Sequence, residues 1–378
     1  MIDCEKFVEI LHTYDIDFFA GVPDSLLKNF CAYLMDNIDP KRHIITANEG
    51  GAIGLAAGRY LSTQEIGLVY MQNSGEGNAI NPLVSLADLQ VYSIPILLLI
   101  GWRGEPGKHD EPQHVKQGQI TLKLLDTMDI PYSILPDSIG SAEKCIKDAF
   151  EYMNKKKASY ALVVKKGTFD KYELKTDLKD AYEMEREGAI KCIVDQLDLH
   201  DVVVSSTGKI SRELFEYREE LGQDHSRDFL TVGSMGHSSQ IALGIALSKP
   251  ERDVYCIEGD GSYIMHMGAS TIVGSTAPKN LKHIVLNNGA HDSVGGQPTA
   301  GFDINIPAIA KACNYKLAMR AETEVELSEK LKKLKASEGP VLLEIMVKKG
   351  SRSDLGRPIT TPAENRQAFM DFLKNNKR

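Results

Sequence analysis

Two short polar segments of this sequence combine residue types and a spacing that could bind a metal ion: Gly259-Asp260-Gly261 and Asn287-Asn288. Each segment ends an apolar run that is typical of a buried strand. Because neighbouring parallel strands end at the same edge of a sheet, we expect Asp260 and Asn288 to lie close together. Their oxygen atoms suit a hard, octahedral Mg²⁺ that also holds a diphosphate. The two glycines would let backbone N–H groups approach that anion, and a helix that starts near Ser262 would point its positive end at it.

Three further segments extend this pattern over most of the chain. They are the stretch 46–60, which contains Glu49, the loop Gly75-Glu-Gly-Asn78 and the turn Val232-Gly-Ser-Met-Gly236. Together with the Gly-Asp-Gly turn, these segments resemble the motifs of thiamine-diphosphate-dependent enzymes. The resemblance covers nearly the whole chain and implies two cofactors, thiamine diphosphate and Mg²⁺.

The resemblance assigns cofactor contacts to residues in both halves of the chain. It implies that Glu49 hydrogen-bonds N1′ of the aminopyrimidine, and that the Gly233 carbonyl accepts a hydrogen bond from the 4′-amino group. Met235 would hold the cofactor in its bent form. The implied metal ligands are Asp260, the Asn288 side chain and the Ala290 carbonyl. The full cofactor-binding set is Glu49, Gly75, Asn78, Gly233, Met235, Gly259, Asp260, Gly261, Ser262 and Asn288.

Three residues are predicted to be catalytic, and Glu49 is the first of them. A glutamate that shares a proton with N1′ needs an elevated pKa, and the apolar residues around Glu49 are consistent with the burial that would raise it. His291 and Asp24 are the other two. Asp24 lies one position earlier than the acid of a Gly-x-Pro-x-Asp turn in related decarboxylases. For Asp24, a role in protonation and a role at the start of a helix therefore both stay open.

Two segments are predicted to face the substrate. One is 101–114, which is rich in cationic donors, and the other is 289–299, directly after a predicted metal ligand. Such groups could bind a second anion on a 2-oxo acid by charge-assisted hydrogen bonds, although solvated loop charges are the alternative. The predicted substrate-binding residues are Ser25, Arg103, Lys108, His109, His114 and Ser293.

These segments, with Gly21–Lys28, resemble the group of the family that decarboxylates phosphonopyruvate or sulfopyruvate. The resemblance implies a carboxy-lyase that converts 3-phosphonopyruvate to phosphonoacetaldehyde and CO₂, in phosphonate biosynthesis. Because the sulfopyruvate enzymes often divide their two domains between separate subunits, the fused chain favours the phosphonate. One alternative is an acetolactate-synthase-like carboligase, which generally has a middle domain and often binds FAD. Another is a cofactor-binding subunit without activity.

Strand and helix patterns alternate along the chain, which predicts parallel strands with crossover helices. The charged segment 168–185 is predicted to link a pyrimidine-binding domain, 1–167, to a diphosphate-binding domain, 186–378. The predicted fold class is α/β, with two three-layer α/β/α domains, mostly parallel sheets and no middle domain. Strands are expected at 16–20, 43–47, 66–71, 94–100, 160–164, 202–205, 253–257, 282–286 and 341–347.

Local sequence signals predict the starts of two helices. Asp3 is suited to cap the first helix, and Gly21-Val-Pro-Asp24 is predicted to open the second, with Pro23 or Asp24 in its first turn.

The resemblance also implies an assembly of several chains. In the family, the residues that correspond to Glu49 and Asp260 meet across a subunit boundary. We therefore expect a homodimer or a larger homo-oligomer with active sites at the subunit interface.

Composition argues against several other classes of protein. The 378 residues are 42% hydrophobic and 25% charged with a net charge of −8, and no basic stripe predicts a nucleic-acid partner. The six cysteines lie far apart without a C-x-x-C pair, as in reduced intracellular proteins. The longest apolar run, Ile94–Ile100, is too short to cross a membrane, and no signal-peptide pattern begins the sequence. We expect a cytoplasmic protein without a membrane partner.

Overall fold

The computed structural model of the protein describes residues 1–176 and 182–375. It divides into two compact units, Met1–Leu178 and Lys179–Arg378. The division falls inside the segment 168–185 that is predicted to be a linker, of which residues 177–181 lie outside the described residues. The start of that segment belongs to the first unit, because the Ile2 N–H donates to the Thr168 carbonyl at 2.8 Å and Phe169 is buried in the core.

The first unit contains one parallel sheet of six strands. The strands are β1 (Phe19–Gly21), β2 (His43–Ile45), β3 (Leu68–Gln72), β4 (Leu97–Gly101), β5 (Tyr132–Ile134) and β6 (Tyr160–Val164). The helices are α1 (Cys4–His12), α2 (Lys28–Asn37), α3 (Glu49–Thr63), α4 (Glu76–Pro82), α5 (Pro112–Thr127) and α6 (Ile139–Lys156), with short helical turns at Asn73–Gly75 and Leu83–Ala87. The sheet order is β2-β1-β3-β4-β6-β5.

The second unit contains another parallel sheet of six strands. The strands are β7 (Val202–Ser205), β8 (Asp228–Leu230), β9 (Val254–Gly259), β10 (Leu281–Asn287), β11 (Leu317–Ala321) and β12 (Val341–Met346). The helices are α7 (Arg186–Asp195), α8 (Lys209–Glu220), α9 (Ser238–Ser248), α10 (Asp260–Met265), α11 (Ala269–Thr276), α12 (Ile306–Ala312), α13 (Glu324–Ala336) and α14 (Pro362–Asn375), with a helical turn at Ala300–Phe302. The sheet order is β11-β12-β10-β9-β7-β8.

Each sheet is covered by helices on both faces. Alternate residues of β4 show this directly, because Leu97 and Leu99 lie in the core formed with α1, α2 and α6, whereas Leu98 and Ile100 lie in the core formed with α3, α4 and α5. In the second unit, Tyr255 and Cys256 of β9 likewise belong to different cores. The predicted three-layer α/β/α class with parallel sheets is therefore confirmed.

The strand predictions are correct for the central strands and incomplete at the sheet edges. The strands predicted at 160–164 and 202–205 match β6 and β7 residue for residue. The short strands β5, β8 and β11 were not predicted, and all three are edge strands. Edge strands carry less continuous apolar sequence than the buried central strands of a parallel sheet, so their pattern is weak.

The first of the two predicted helix starts is confirmed, and the second is wrong. Asp3 caps α1, with its Oδ1 accepting from the Lys6 N–H at 3.0 Å. The helix that was predicted to open at Pro23 or Asp24 begins only at Lys28. Asp24 is fully buried and its Oδ2 accepts from the Leu26 N–H at 2.9 Å, so the side chain stabilises a turn before the helix.

None of the helices within the described ranges is long and apolar enough to span a bilayer. All six cysteines lie in those ranges, and all are unpaired.

Candidate active site

The Gly-Asp-Gly turn and the asparagine pair meet at the carboxyl edge of the second sheet. Asp260 begins α10 directly after β9, and Asn288 directly follows β10, which pairs with β9 in parallel. The Asn288 N–H lies 3.4 Å from Asp260 Oδ1. The strand-end argument thus places the two residues together as expected.

Asp260 is a buried carboxylate held in position by the chain that follows β10. It is 1% exposed, and the Thr299 hydroxyl donates to its Oδ2. Gly301 passes so close that a Cβ there would lie 2.5 Å from the same oxygen. Burial raises the pKa of Asp260 to about 6, because the charged form is poorly solvated. A divalent cation would supply the missing stabilisation, so the residues fit a bound Mg²⁺.

The two asparagines have different hydrogen-bond partners. Asn287 Nδ2 donates to the Gly301 carbonyl and to Glu344 Oε1, both at 2.7 Å, so this side chain supports the turn. Asn288 Nδ2 donates to Asp292 Oδ2 at 3.0 Å, and Asn288 Oδ1 accepts from the Ala290 N–H at 3.1 Å. An amide oxygen accepts two hydrogen bonds, so one lone pair of Asn288 Oδ1 stays available for a cation.

The loop after β8 also contacts the Gly-Asp-Gly turn. The Gly236 N–H donates to Ser262 Oγ at 3.1 Å, and an added Cβ on Gly261 would lie 3.4 Å from Met235 Cε and 3.2 Å from His291 Cε1. Gly233 has a φ of 70°, which only glycine adopts freely. The Gly233 N–H also donates to the Thr207 hydroxyl, just after β7, at 3.1 Å, so this loop contacts the ends of both β7 and β9, where the strand order reverses and open α/β sheets bind ligands.

A buried polar network lies directly behind this turn. Glu258 Oε2 accepts from the Ser262 hydroxyl at 2.6 Å, and Glu258 Oε1 lies 2.8 Å from His283 Nε2. Glu258, His283 and Cys256 are also the one trio of the described chain whose ligand atoms could hold a metal. Because both oxygens of Glu258 already have partners, we interpret the trio as structural support for the turn.

In the first unit, Glu49 lies where the N-termini of α3 and α4 meet. Glu49 is 5% exposed, and Asn78 Nδ2 donates to its Oε2 at 2.7 Å. A Cβ on Gly75 would lie 2.2 Å from Glu49 Oε1, and a Cβ on Gly50 would lie 2.8 Å from the Asn78 carbonyl. The structure therefore brings together the three residues of the first unit that are predicted to contact the cofactor.

The predicted substrate residues Ser25 and Arg103 are in direct contact, at the ends of β1 and β4. Arg103 Nη1 donates to Ser25 Oγ at 2.8 Å, and its Nε donates to Asp110 Oδ2 at 2.8 Å. Hydrogen bonds from Arg103 and Gly104, with the Arg103 charge, lower the pKa of Asp110 to about 2 despite its partial burial. Sequence reasoning missed Asp110, whose position in the same charged loop was the available signal.

Asp24 lies beside this arginine with its carboxyl group fully buried. A Cβ on Gly101 would lie 2.1 Å from Asp24 Oδ2, so only glycine fits at the end of β4. Asp24 Oδ1 has no hydrogen-bond partner among the described residues. Burial raises the pKa of Asp24 to about 6, against the lowering effect of the Leu26 N–H and the Arg103 charge.

The remaining predicted substrate residues differ in their surroundings, and two histidines are not cationic. Burial lowers the pKa of His114 to about 4, as it does for His291, so both rings are neutral near pH 7. Burial therefore disfavours the charged form of His114, which belongs to the loop described as rich in cationic donors, and its role in substrate binding stays a prediction. Lys108 and His109 are exposed. Ser293 is also exposed, with its Oγ 3.1 Å from a Cβ position on Gly208.

Comparison with known proteins gives both halves of the chain the same family. The N-terminal TPP binding domain of thiamine pyrophosphate enzymes matches residues 4–128, and the C-terminal TPP binding domain matches residues 206–345. Thiamine pyrophosphate is another name for thiamine diphosphate.

Three curated relatives align with nearly the whole chain. A phosphonopyruvate decarboxylase from Streptomyces viridochromogenes is 34% identical over 99% of this chain and 95% of its own. A phosphonopyruvate decarboxylase from Streptomyces hygroscopicus is 33% identical over 98% and 94%. A sulfopyruvate decarboxylase from Methanosarcina acetivorans is 28% identical over 98% and 97%. The chain thus belongs to the thiamine pyrophosphate enzyme family and is a carboxy-lyase of the 2-oxo acid decarboxylase type.

Proposed function

We propose that this enzyme decarboxylates 3-phosphonopyruvate to phosphonoacetaldehyde and CO₂ in phosphonate biosynthesis, with thiamine diphosphate and Mg²⁺ as cofactors. The observation that carries the proposal is the 33–34% identity to two phosphonopyruvate decarboxylases over nearly the full length of each chain. Fusion of the two domains in one chain, which favoured phosphonopyruvate in the sequence analysis, does not distinguish phosphonopyruvate from sulfopyruvate as the substrate. The sulfopyruvate decarboxylase relative matches the same fused length.

Mg²⁺ would be held by Asp260, the Asn288 side chain and the Ala290 carbonyl. The oxygen ligands, the buried carboxylate and its raised pKa of about 6 support this assignment. In the first unit, Glu49 would hold the proton shared with the aminopyrimidine, and Asn78 fixes the direction of its carboxyl group. Thiamine diphosphate supplies the electron sink for the departure of CO₂ when it is bound.

The phosphonate would be bound by the group at the ends of β1 and β4. The Arg103 guanidinium and the Ser25 hydroxyl form a donor pair there, and Asp110 fixes the plane of the guanidinium through two hydrogen bonds. A planar guanidinium in a fixed position suits a tetrahedral oxyanion. Asp24, whose pKa is raised to about 6, lies beside Arg103 and would be an acid or base within reach of the bound substrate.

The test compares kcat/KM for phosphonopyruvate, sulfopyruvate and pyruvate at saturating cofactor and Mg²⁺. We expect phosphonopyruvate to be preferred over pyruvate by at least about a hundredfold, because loss of a charge-assisted contact costs several kcal/mol. Arg103→Leu is expected to remove most of this preference, whereas Lys116→Leu, at an exposed position of α5, is the matched control.

Several outcomes would contradict the proposal. Equal kcat/KM values for all three acids would remove the dedicated anion site. A higher value for sulfopyruvate would favour the second candidate function, which the 28% identity to a sulfopyruvate decarboxylase supports. An acetohydroxy acid as the main product would point to carboligation. Unchanged turnover in Glu49→Gln would show that Glu49 is not required for catalysis.

We further propose a homodimer or larger homo-oligomer with active sites at the subunit interface. Glu49 and Asp260 belong to different compact units of the chain. Each residue lies at the carboxyl edge of its own sheet, with its own set of supporting contacts. We propose, as the resemblance to the family implies, that one chain contributes Glu49 and its partner contributes Asp260 to the same site.

A further inference from the structure

Asp292 makes contacts that the metal-site prediction does not use. It lies in the loop after β10, and its side chain is only 12% exposed. Its Oδ2 accepts from three donors: Asn288 Nδ2 at 3.0 Å, Arg186 Nη1 at 2.9 Å and the Gly350 N–H at 3.1 Å. One carboxylate oxygen thus joins the predicted metal ligand Asn288 to two distant parts of the second unit.

The position of Asp292 is fixed by a second ion pair. Arg186 begins α7 and is 5% exposed at its side chain. Its Nε and Nη2 donate to the two carboxylate oxygens of Glu213 at 2.8 and 2.7 Å, and Nη1 is left for Asp292. A planar guanidinium held on one edge by a bidentate carboxylate presents its remaining donors in one direction. Asp292 therefore has little freedom to move.

The contact with Asn288 has a chemical consequence for metal binding. A side-chain amide has a donor end and an acceptor end, and rotation by half a turn exchanges them. A carboxylate only accepts, so Asp292 favours the orientation in which Nδ2 points to it and Oδ1 points away, and the Ala290 N–H, which donates to Oδ1, favours the same orientation. In the opposite orientation, an NH₂ group would take the place of the oxygen that a cation requires.

We infer that Asp292 is a positioning residue that fixes the Asn288 amide so that its oxygen, and not its nitrogen, is presented to the metal ion. The inference rests on the proposed Mg²⁺ site. Contacts from a second layer of residues orient metal ligands in this way in many proteins, and their loss typically weakens metal binding by about 10–100-fold. A purely structural role, in which Asp292 only completes the ion-pair network of Arg186, is the competing explanation.

The two explanations differ in what a matched pair of variants does. Asp292→Ala removes the acceptor of Asn288 Nδ2. The measurement is a calorimetric titration of the full-length wild-type and variant proteins with thiamine diphosphate at a series of Mg²⁺ concentrations. We expect the Mg²⁺ concentration for half-maximal cofactor binding to rise about tenfold. Glu213→Gln weakens the same Arg186 network but leaves the Asp292–Asn288 contact in place. We expect this control to lower the Tm while its Mg²⁺ requirement stays within about twofold of wild type.

Asp292→Asn provides a second measurement if the alanine variant folds poorly. Its single carboxamide oxygen can still accept a hydrogen bond, but Arg186 and Gly350 compete for it, so we expect an intermediate rise in the Mg²⁺ requirement. Wild-type Mg²⁺ dependence in both Asp292 variants, or equal shifts in Glu213→Gln, overturns the inference. Absence of cofactor binding by the wild-type protein in excess Mg²⁺ overturns the proposed function instead, so the two failures are distinguishable.

Discussion

Glu76 is a buried acid at the first position of α4, directly after Gly75. It is 2% exposed, and burial raises its pKa to about 8, more than the Thr121 hydroxyl lowers it. Near pH 7 this carboxyl group therefore carries a proton, unlike an ordinary glutamate. The group belongs to the loop that is predicted to contact the pyrimidine.

The raised pKa predicts how stability depends on pH. A carboxyl group with a raised folded-state pKa contributes stability below its unfolded pKa, here 4.5, and loses that contribution as the pH rises to about 8. The Glu76→Gln variant has no titrating group at position 76. We therefore expect its free energy of unfolding to exceed that of wild type by a few kcal/mol at pH 9, and by much less at pH 5. Urea unfolding from pH 5 to 9 measures the difference.

The control for this experiment is an exposed glutamate. Glu143→Gln on α6 alters the same functional group where the side chain is solvated. We expect the stability difference between this variant and wild type to stay nearly constant from pH 5 to 9. Parallel pH curves for Glu76→Gln and wild type would contradict the assigned protonation of Glu76.

At the residue scale, sequence reasoning works where chemistry and strand ends coincide. Asp260 and Asn288 were expected to lie close together because they follow two adjacent strands, and in the structure they are in contact. Thr299 and Asp292 lie in the segment 289–299 that was predicted to face the substrate, but their contacts with Asp260 and Asn288 could not be predicted, because the backbone path of that loop has no sequence signature. The neutral state of His114 was equally hidden, since the residue looks cationic until its burial is known.

The N-termini of α3 and α4 form one structural element around the Glu49 carboxyl group. Gly50 lets α3 approach the Asn78 carbonyl, and Gly75 leaves the space that the Glu49 side chain fills. Both helix starts also place their positive ends near this carboxyl group. The geometry of the predicted catalytic acid therefore depends on two positions that only glycine can occupy without a shift.

A pair of glycine variants tests this dependence. A Cβ at Gly75 would lie 2.2 Å from Glu49 Oε1, so Gly75→Ala must displace the carboxyl group and weaken its hydrogen bond from Asn78. We expect kcat to fall by about a hundredfold, as for other small displacements of reacting groups. Gly77, two residues later in α4, has open space around its Cβ position and serves as the control.

The control variant makes the result specific to the carboxyl group. Gly77→Ala is expected to leave kcat unchanged and to raise stability by up to about 1 kcal/mol, because alanine favours the helix. Steady-state rates at saturating cofactor, with a Tm for each variant, measure both effects. Equal activity of the two variants would show that the Glu49 position tolerates displacement.

At the element scale, the sequence predicts central strands better than boundaries. Strands β6 and β7 are continuous apolar runs and were placed residue for residue. The start of α2 was missed because Asp24, a residue suited to a helix N-terminus, is used in a buried turn. Such a choice depends on tertiary packing around Gly101, which local sequence does not encode.

The whole molecule consists of two units with the same topology. In each sheet, the strands numbered by their order within the unit are arranged 2-1-3-4-6-5. In each unit, the last strand of the chain runs into the sequence Val-Lys-Lys-Gly, at 164–167 and 347–350. The shared strand order, which the sequence did not predict, shows that the two units are built alike. Each unit carries one half of the predicted site, Glu49 or Asp260.

This division predicts that two inactive variants complement each other. In a symmetric dimer with Glu49 of one chain and Asp260 of the other at each site, a hybrid of Glu49→Gln and Asp260→Ala chains has one intact site and one site with both defects. Random assembly makes half of the dimers hybrids, so we expect about a quarter of wild-type activity after co-expression of the two variants. Co-expression of Glu49→Gln with Glu49→Ala, which affects one half of the site twice, should give none. If each site is built within one chain, both mixtures stay inactive although sedimentation shows the same dimers.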